Sequence, residues 1–280
     1  MLEAQVEALV RAFIDEDVGR GDRTTDAVVP ADARGRARIE AREPCIVAGL
    51  GVARACFETV ASAPVEWRAH ASEGDAVEPM TAVVHIDGPL RAILTAERTA
   101  LNLLARACGI ATLTRRFVDA VAGTPVRILD TRKTTPGLRA IEKHAVRAGG
   151  GSNHRFGLDD GILIKDNHIA AAGGITAAVD SARACTPPGM SVEVEVSDLD
   201  GLGEALVAGA AFVLLDNMTP SMVADAVARA GGKAVLEASG GIDLDNVRAY
   251  AETGVELISV GALTHSARSI DLSLEVEARW

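Results

Sequence analysis

Arg132, Lys133, His154, Arg155 and Lys165 crowd into one stretch of a chain whose net charge is -11. The chain has only four lysines, and two of them belong to this group. Arginine grips carboxylates and phosphates through a planar fork of donors, whereas lysine acts as a point charge. Such a cluster in an acidic protein points to a local positive pocket for small anions. Downstream come Glu193 and Glu195 on one strand and Asp216 at the end of the next; Glu195 and Asp216 are oxygen donors of the kind that hold Mg²⁺ together with substrate and water. No Cys or His spacing suits zinc. Next is Ser239-Gly240-Gly241, before a helix expected to start near Asp243, and then Ser259 and Gly261. Free backbone N–H groups at such small residues can cradle a phosphate. Arg139, Lys143, His144 and Arg147 fall on a helical stretch, and most of them read as its solvated face. The pattern thus suits group transfer or isomerisation on anionic small molecules, with a phosphorylated substrate beside a carboxylated one.

These residues share a place in the pattern of elements. Apolar or alternating runs at 126–130, 161–166, 191–196, 211–216, 234–239 and 256–261 read as strands. Helical stretches separate them, several opening on Pro, Ser or Asp and closing on Gly. Six such units predict a parallel sheet, either a barrel or doubly wound. No GxGxxG follows a strand, so the dinucleotide-binding version lacks its signature. Sites in parallel sheets form at the carboxyl ends of the strands, where most of the residues above lie. In SVEVEV the glutamates fall on one face and the valines on the other. Residues 149–157, rich in Gly and irregular, read as a working loop.

The first hundred or so residues have a different rhythm. GRARIEA, PVEWRAH and TAVVHIDG alternate, with turn residues between, which predicts an antiparallel sheet with helices. An amphipathic helix is expected near the start. The run from Leu90 to Gly123 is expected to be two consecutive helices broken near Gly109, bridging the two regions. The acidic balance argues against a nucleic-acid binder. No apolar run reaches the length of a membrane span, and the N-terminus lacks the positive charge of a signal peptide. Cys45, Cys56, Cys108 and Cys185 read as buried thiols in a reducing cytoplasm.

The chain resembles the quinolinate phosphoribosyltransferase family, also called nicotinate-nucleotide pyrophosphorylase (carboxylating), over nearly its whole length. The resemblance is carried by EDVGRGDRTT, ERTALNLL, the long block DTRKTTPGLRAIEKHAVRAGGGSNHRFGLDDGILIKDNHI, VEVEV, LLDNM, EASGGI and ISVGALTHS. It implies an α/β chain with an N-terminal α+β open-faced sandwich at 1–107, rejoined by 268–280, and an incomplete parallel α/β barrel at 108–267. It implies transfer of phosphoribosyl from phosphoribosyl diphosphate to quinolinate with decarboxylation, giving nicotinate mononucleotide for NAD biosynthesis, with Mg²⁺ as cofactor. Arg132, Lys133 and Arg155, with His154 and Lys165 nearby, would hold the quinolinate carboxylates. Glu195 and Asp216 would serve the ribose hydroxyls and Mg²⁺, and Ser239, Gly240, Gly241, Ser259 and Gly261 the 5-phosphate side. Lys133 or Lys165 would help supply the proton after decarboxylation. A cytoplasmic homodimer is implied, or a higher assembly, with Arg98 reaching into the partner's site. The alternative is a paralogue of the same fold acting on another carboxylated base. Rivals of other classes are a non-catalytic phosphometabolite binder and an aldolase-like barrel using Lys165 as a Schiff base.

Overall fold

The structure, a computed structural model, describes the backbone of residues 2–280 and side chains from Val6 onward. In chain order the first elements are α1 (Leu2–Val18), α2 (Arg23–Val28), β1 (Arg34–Ala41), β2 (Cys45–Ile46), α3 (Leu50–Val60), β3 (Glu66–Ala69), β4 (Ala76–Val77), β5 (Thr81–Pro89) and α4 (Leu90–Ala120). They are followed by β6 (Arg127–Leu129), α5 (Arg139–Ala148), β7 (Ile162–Ile164), α6 (Asp166–Ala172), α7 (Ile175–Cys185), β8 (Val192–Val196) and α8 (Leu199–Val207). The chain closes with β9 (Phe212–Asp216), α9 (Pro220–Ala230), β10 (Val235–Ser239), α10 (Val247–Ala251), β11 (Leu257–Ser259), α11 (Ala262–His265) and β12 (Leu272–Arg279). Two compact units result. The first comprises residues 1–115, 134–150 and 266–280, and the second 116–133 and 151–265.

In the first unit, an antiparallel sheet has the order β12-β1-β5-β3. Alternation along β1 decides its faces. Ala37, Ile39 and Ala41 are buried beside Val84 and Ile86 of β5. The residues between them carry charge and pair across strands. Arg36 binds Asp87 at 2.7 Å, and Arg38 binds Glu277 at 2.7 Å. Arg42 reaches both Glu40 and Glu275. Predicted as two helices, residues 90–120 form the single helix α4. Gly109 does not break it. A Cβ there would fall 1.9 Å from the carbonyl oxygen of Arg268, so the glycine serves a close backbone approach. Helix α5 packs within this same unit. Its Glu142 is fully buried, accepting from Arg106 at 2.9 Å and from the Thr135 hydroxyl at 2.9 Å. Lys143, expected on a solvated face, is 2% exposed, because this helix is covered where a barrel-surface helix would meet water.

The second unit is a six-stranded parallel sheet in the order β6-β11-β10-β9-β8-β7. Each neighbour follows the last except that β6 pairs with β11. The sheet therefore curls into a barrel opened between β6 and β7, and Ser152 bridges Leu129 at the open edge. Val194, Val213, Leu215, Leu236, Ala238 and Ile258 are buried. Their strand neighbours Glu195, Leu214, Asp216, Glu237, Ser239 and Ser259 line a cavity instead. Thr219 caps α9 by accepting from Met222 N–H, and Asp198 caps α8 through Gly201 N–H. Three of the four free cysteines are buried. Cys185, at the end of α7, is exposed, contrary to the reading of all four as buried.

Candidate active site

The cavity holds about 660 Å³, within the usual range for small-molecule sites. Arg132, Lys133, His154, Arg155, Lys165, Glu195, Asp216, Ser239, Gly240, Gly241, Ser259 and Gly261 all line it. These residues come from the loops and ends of all six strands, as expected for parallel α/β architecture. Arg98 does not line it. That side chain lies on α4 in the first unit, 64% exposed, with Glu97 3.8 Å away.

One wall is cationic. Burial and the charge of Arg132 beside it lower the pKa of Arg155. The Arg132 Nε is buried without a hydrogen-bond partner. Arg155 spends one donor on the carbonyl of Gly161 at 2.7 Å. A buried guanidinium donor left open beside a second cation forms a place for an anion. The loop carrying His154 and Arg155 is pinned by Asp130, which is fully buried at the end of β6. Asp130 accepts from Asn153 Nδ2 at 2.5 Å and from His154 N–H at 2.9 Å. Farther on, Asp160 accepts from the N–H groups of Phe156 and Gly157, at 2.6 and 2.9 Å.

The opposite wall is acidic. Glu195 pairs with Leu214 in register, so Asp216 stands two residues beyond it on the next strand. Lys165 is ion-paired with Glu195. A Schiff-base lysine needs burial or a neighbouring cation. Lys165 is 45% exposed and faces an anion, which argues against the aldolase-like rival.

Between the walls lies the glycine turn. Gly240 and Gly241 have φ of +93° and +63°, conformations that other residues resist. A Cβ on Gly240 would fall 2.2 Å from Asn217 Oδ1. Asn217 itself has φ of 55° and donates its N–H to the Ser239 carbonyl at 2.8 Å. The helix expected near Asp243 begins only at Val247. Asp243 Oδ1 instead accepts from the N–H groups of Asp245 and Asn246, at 3.0 and 3.1 Å, and this turn delays the helix. The cradle is thus the glycine turn alone. The Thr264 hydroxyl donates to the Lys133 carbonyl at 2.8 Å, fastening α11 to the end of β6.

Thr131, Glu237, Asp243 and His265 also line the cavity and were given no role from sequence. Glu237 could have been suspected, since it shares the inward face of β10 with Ser239. Its surroundings could not. His154 Nε2 lies 3.0 Å from Glu193 Oε2 and 3.7 Å from Glu237 Oε2. These partners come from a loop and two strands that are not neighbours.

Residues 22–108 match the family model for the N-terminal domain of quinolinate phosphoribosyl transferase, and residues 110–275 match the one for its C-terminal domain. A probable nicotinate-nucleotide pyrophosphorylase [carboxylating] from Bacillus subtilis is 42% identical over 276 residues, covering 99% of this chain and 95% of the relative. The nicotinate-nucleotide pyrophosphorylase [carboxylating] of Mycobacterium leprae is 43% identical, covering 95% of each. Among solved structures, the nicotinate-nucleotide pyrophosphorylase from Francisella tularensis superposes with a TM-score of 0.93 at 41% identity, covering 98% of this chain and 96% of that one. With both halves matched and relatives this similar along their whole length, the chain belongs to the quinolinate phosphoribosyltransferase family.

Proposed function

We propose that this protein transfers the phosphoribosyl group of phosphoribosyl diphosphate to quinolinate and decarboxylates the product, giving nicotinate mononucleotide, diphosphate and CO₂. The observation that carries the proposal is the cationic wall of the cavity, where burial and the charge of Arg132 lower the pKa of Arg155 and the Arg132 Nε is buried without a partner. A planar dicarboxylate supplies what that wall lacks, and bidentate contacts would orient its ring. Lys133 extends the positive surface, Lys165 adds a cation beside Glu195, and His154 holds the loop end near it.

The Gly240–Gly241 turn, with Ser239, Ser259 and Gly261, would receive the 5-phosphate through backbone N–H groups. Glu195 and Asp216 would hold the ribose hydroxyls and face the positive charge that develops at ribose C1 as diphosphate departs. The same two carboxylates suit Mg²⁺, being few, hard oxygen donors at adjacent strand ends that leave room for water and phosphate. When bound, Mg²⁺ neutralises the diphosphate and improves it as a leaving group. The pyridine nitrogen attacks C1, and the resulting cationic ring accepts the electron pair left when the adjacent carboxylate departs as CO₂. Holding two anions together in this geometry can contribute about 7–11 kcal/mol to a bimolecular step.

Among the described residues no helix is long and apolar enough to cross a membrane. We place the enzyme in the cytoplasm as a homodimer, with the exposed Arg98 serving the partner's site. The deciding experiment is turnover of quinolinate and phosphoribosyl diphosphate with Mg²⁺, followed by CO₂ release and nicotinate mononucleotide formation. Turnover of nicotinate in place of quinolinate would overturn the assignment.

A further inference from the structure

Glu237 is a carboxyl group at the cavity floor with no cation in hydrogen-bond reach. It lies one inward position below Ser239 on β10, and its side chain is 2% exposed. Its Oε1 is buried and unpartnered. The groups facing it are mostly negative or neutral. Glu193 comes from β8, Asp130 from the end of β6, Ser259 from β11 and His154 from the loop before β7. Leu214 is its register partner on β9. His154 offsets these negative charges only in part. The His154 Nδ1 accepts from Arg155 N–H at 2.8 Å, and the Nε2 is nearer Glu193, at 3.0 Å, than Glu237, at 3.7 Å. A buried carboxylate so placed is costly, and the group keeps its proton instead. Burial first, and then the charge of Glu193, push its pKa up to about 7.

We propose that Glu237 is the acid of the decarboxylation step, giving its proton to the ring carbon that CO₂ leaves. This rests on the reaction proposed above. The carbon–carboxylate bond breaks heterolytically, and CO₂ departs without the bonding electrons. The pair stays on the ring carbon beside the cationic nitrogen and takes the proton from Glu237. The Glu237 carboxylate is then reprotonated from solvent once product has left, so each turnover consumes one solvent proton. The lysines suit the step less well by position. Lys165 is engaged with Glu195 on the acidic wall, and Lys133 is exposed at the rim. An acid titrating near neutrality is also matched to proton transfer at working pH.

The test is a single-turnover comparison of wild type, Glu237→Gln and Glu237→Asp, following diphosphate, CO₂ and nicotinate mononucleotide separately across pH. In wild type the releases should keep pace, and the rate should fall as pH rises through about 7. In Glu237→Gln, nicotinate mononucleotide should lag diphosphate by on the order of 100-fold, and the alkaline fall should vanish. Glu237→Asp should restore part of both. Infrared spectra of free wild type should show a protonated carboxyl band lost as pH passes through about 7, and absent from Glu237→Gln. A Glu237→Gln variant with wild-type product formation and an unchanged pH profile overturns the proposal alone. So does the absence of that infrared band in wild type, even if the variants fail to fold. Wild type that releases no diphosphate with quinolinate would instead overturn the functional reading, and the proposal with it.

Discussion

Charged residues are handled differently in the two units. On the antiparallel sheet of the first unit, Arg36, Arg38 and Arg42 each meet a carboxylate on the same or a neighbouring strand at 2.7–2.9 Å. Arg268 similarly grips Glu43, whose carboxyl is held down to about 2 chiefly by that hydrogen bond. In the cavity of the second unit, burial and the charge of Arg132 lower the pKa of Arg155 instead, and Glu237 and Glu193 share one histidine. Paired charges cover a sheet face. Charges left mismatched in a partly buried cavity raise the energy of the free protein and are relieved by a ligand of the right sign or by a proton. The contrast separates structural charge from functional charge without reference to any relative.

The comparison can be broken most directly at the guanidinium pair. Arg132→Ala should cost about 3 kcal/mol of transition-state binding, on the order of 100-fold in kcat/KM for quinolinate, with far less effect on the KM for phosphoribosyl diphosphate. Equal losses for both substrates in steady-state kinetics would make Arg132 a structural charge after all. Next in size is a change in the first unit that touches no charge. Gly109→Ala should destabilise the protein by about 2–3 kcal/mol in urea unfolding, because its Cβ would meet the Arg268 carbonyl at 1.9 Å.

The Glu237 carboxyl offers a test by pH. The folded protein keeps a proton up to about 7 that the unfolded chain loses near the ordinary 4.5. The native state thus binds more protons in that window, and Tm should fall as pH rises through it. Glu237→Gln should flatten that part of the Tm profile. Gly240→Ala should raise the KM for phosphoribosyl diphosphate about tenfold, since φ of +93° and the contact with Asn217 both resist a side chain. The smallest effect belongs to the paired charges. Arg268→Ala should move the urea unfolding midpoint only slightly, since the pair is exposed and screened. Any difference from wild type should narrow as pH falls towards about 2, where the Glu43 partner protonates.

The strand rhythm was readable because each parallel strand is apolar with a polar end, and each of the six expected strands lies where that pattern fell. The cations and carboxylates that line the cavity were readable for the same reason, since strand ends in this architecture converge. Two expectations failed for tertiary reasons and a third for a local one. Gly109 looked like a helix break but is a contact point for a distant backbone. Lys143 looked solvated, but its helix packs into the first unit. The helix near Asp243 starts later because that side chain caps a turn.

The sequence by itself determined the elements, the inward alternation of the strands and the residue types at their ends, because these depend on neighbours a few positions apart. Only the tertiary structure decided which charges are satisfied. Strands β8 and β10 are not adjacent, yet curling the sheet sets Glu193 and Glu237 around one histidine. Whether a charge has a partner, and how far it is removed from water, depends on residues far apart in the chain. Those two facts raise the pKa of a glutamate on a strand to about 7.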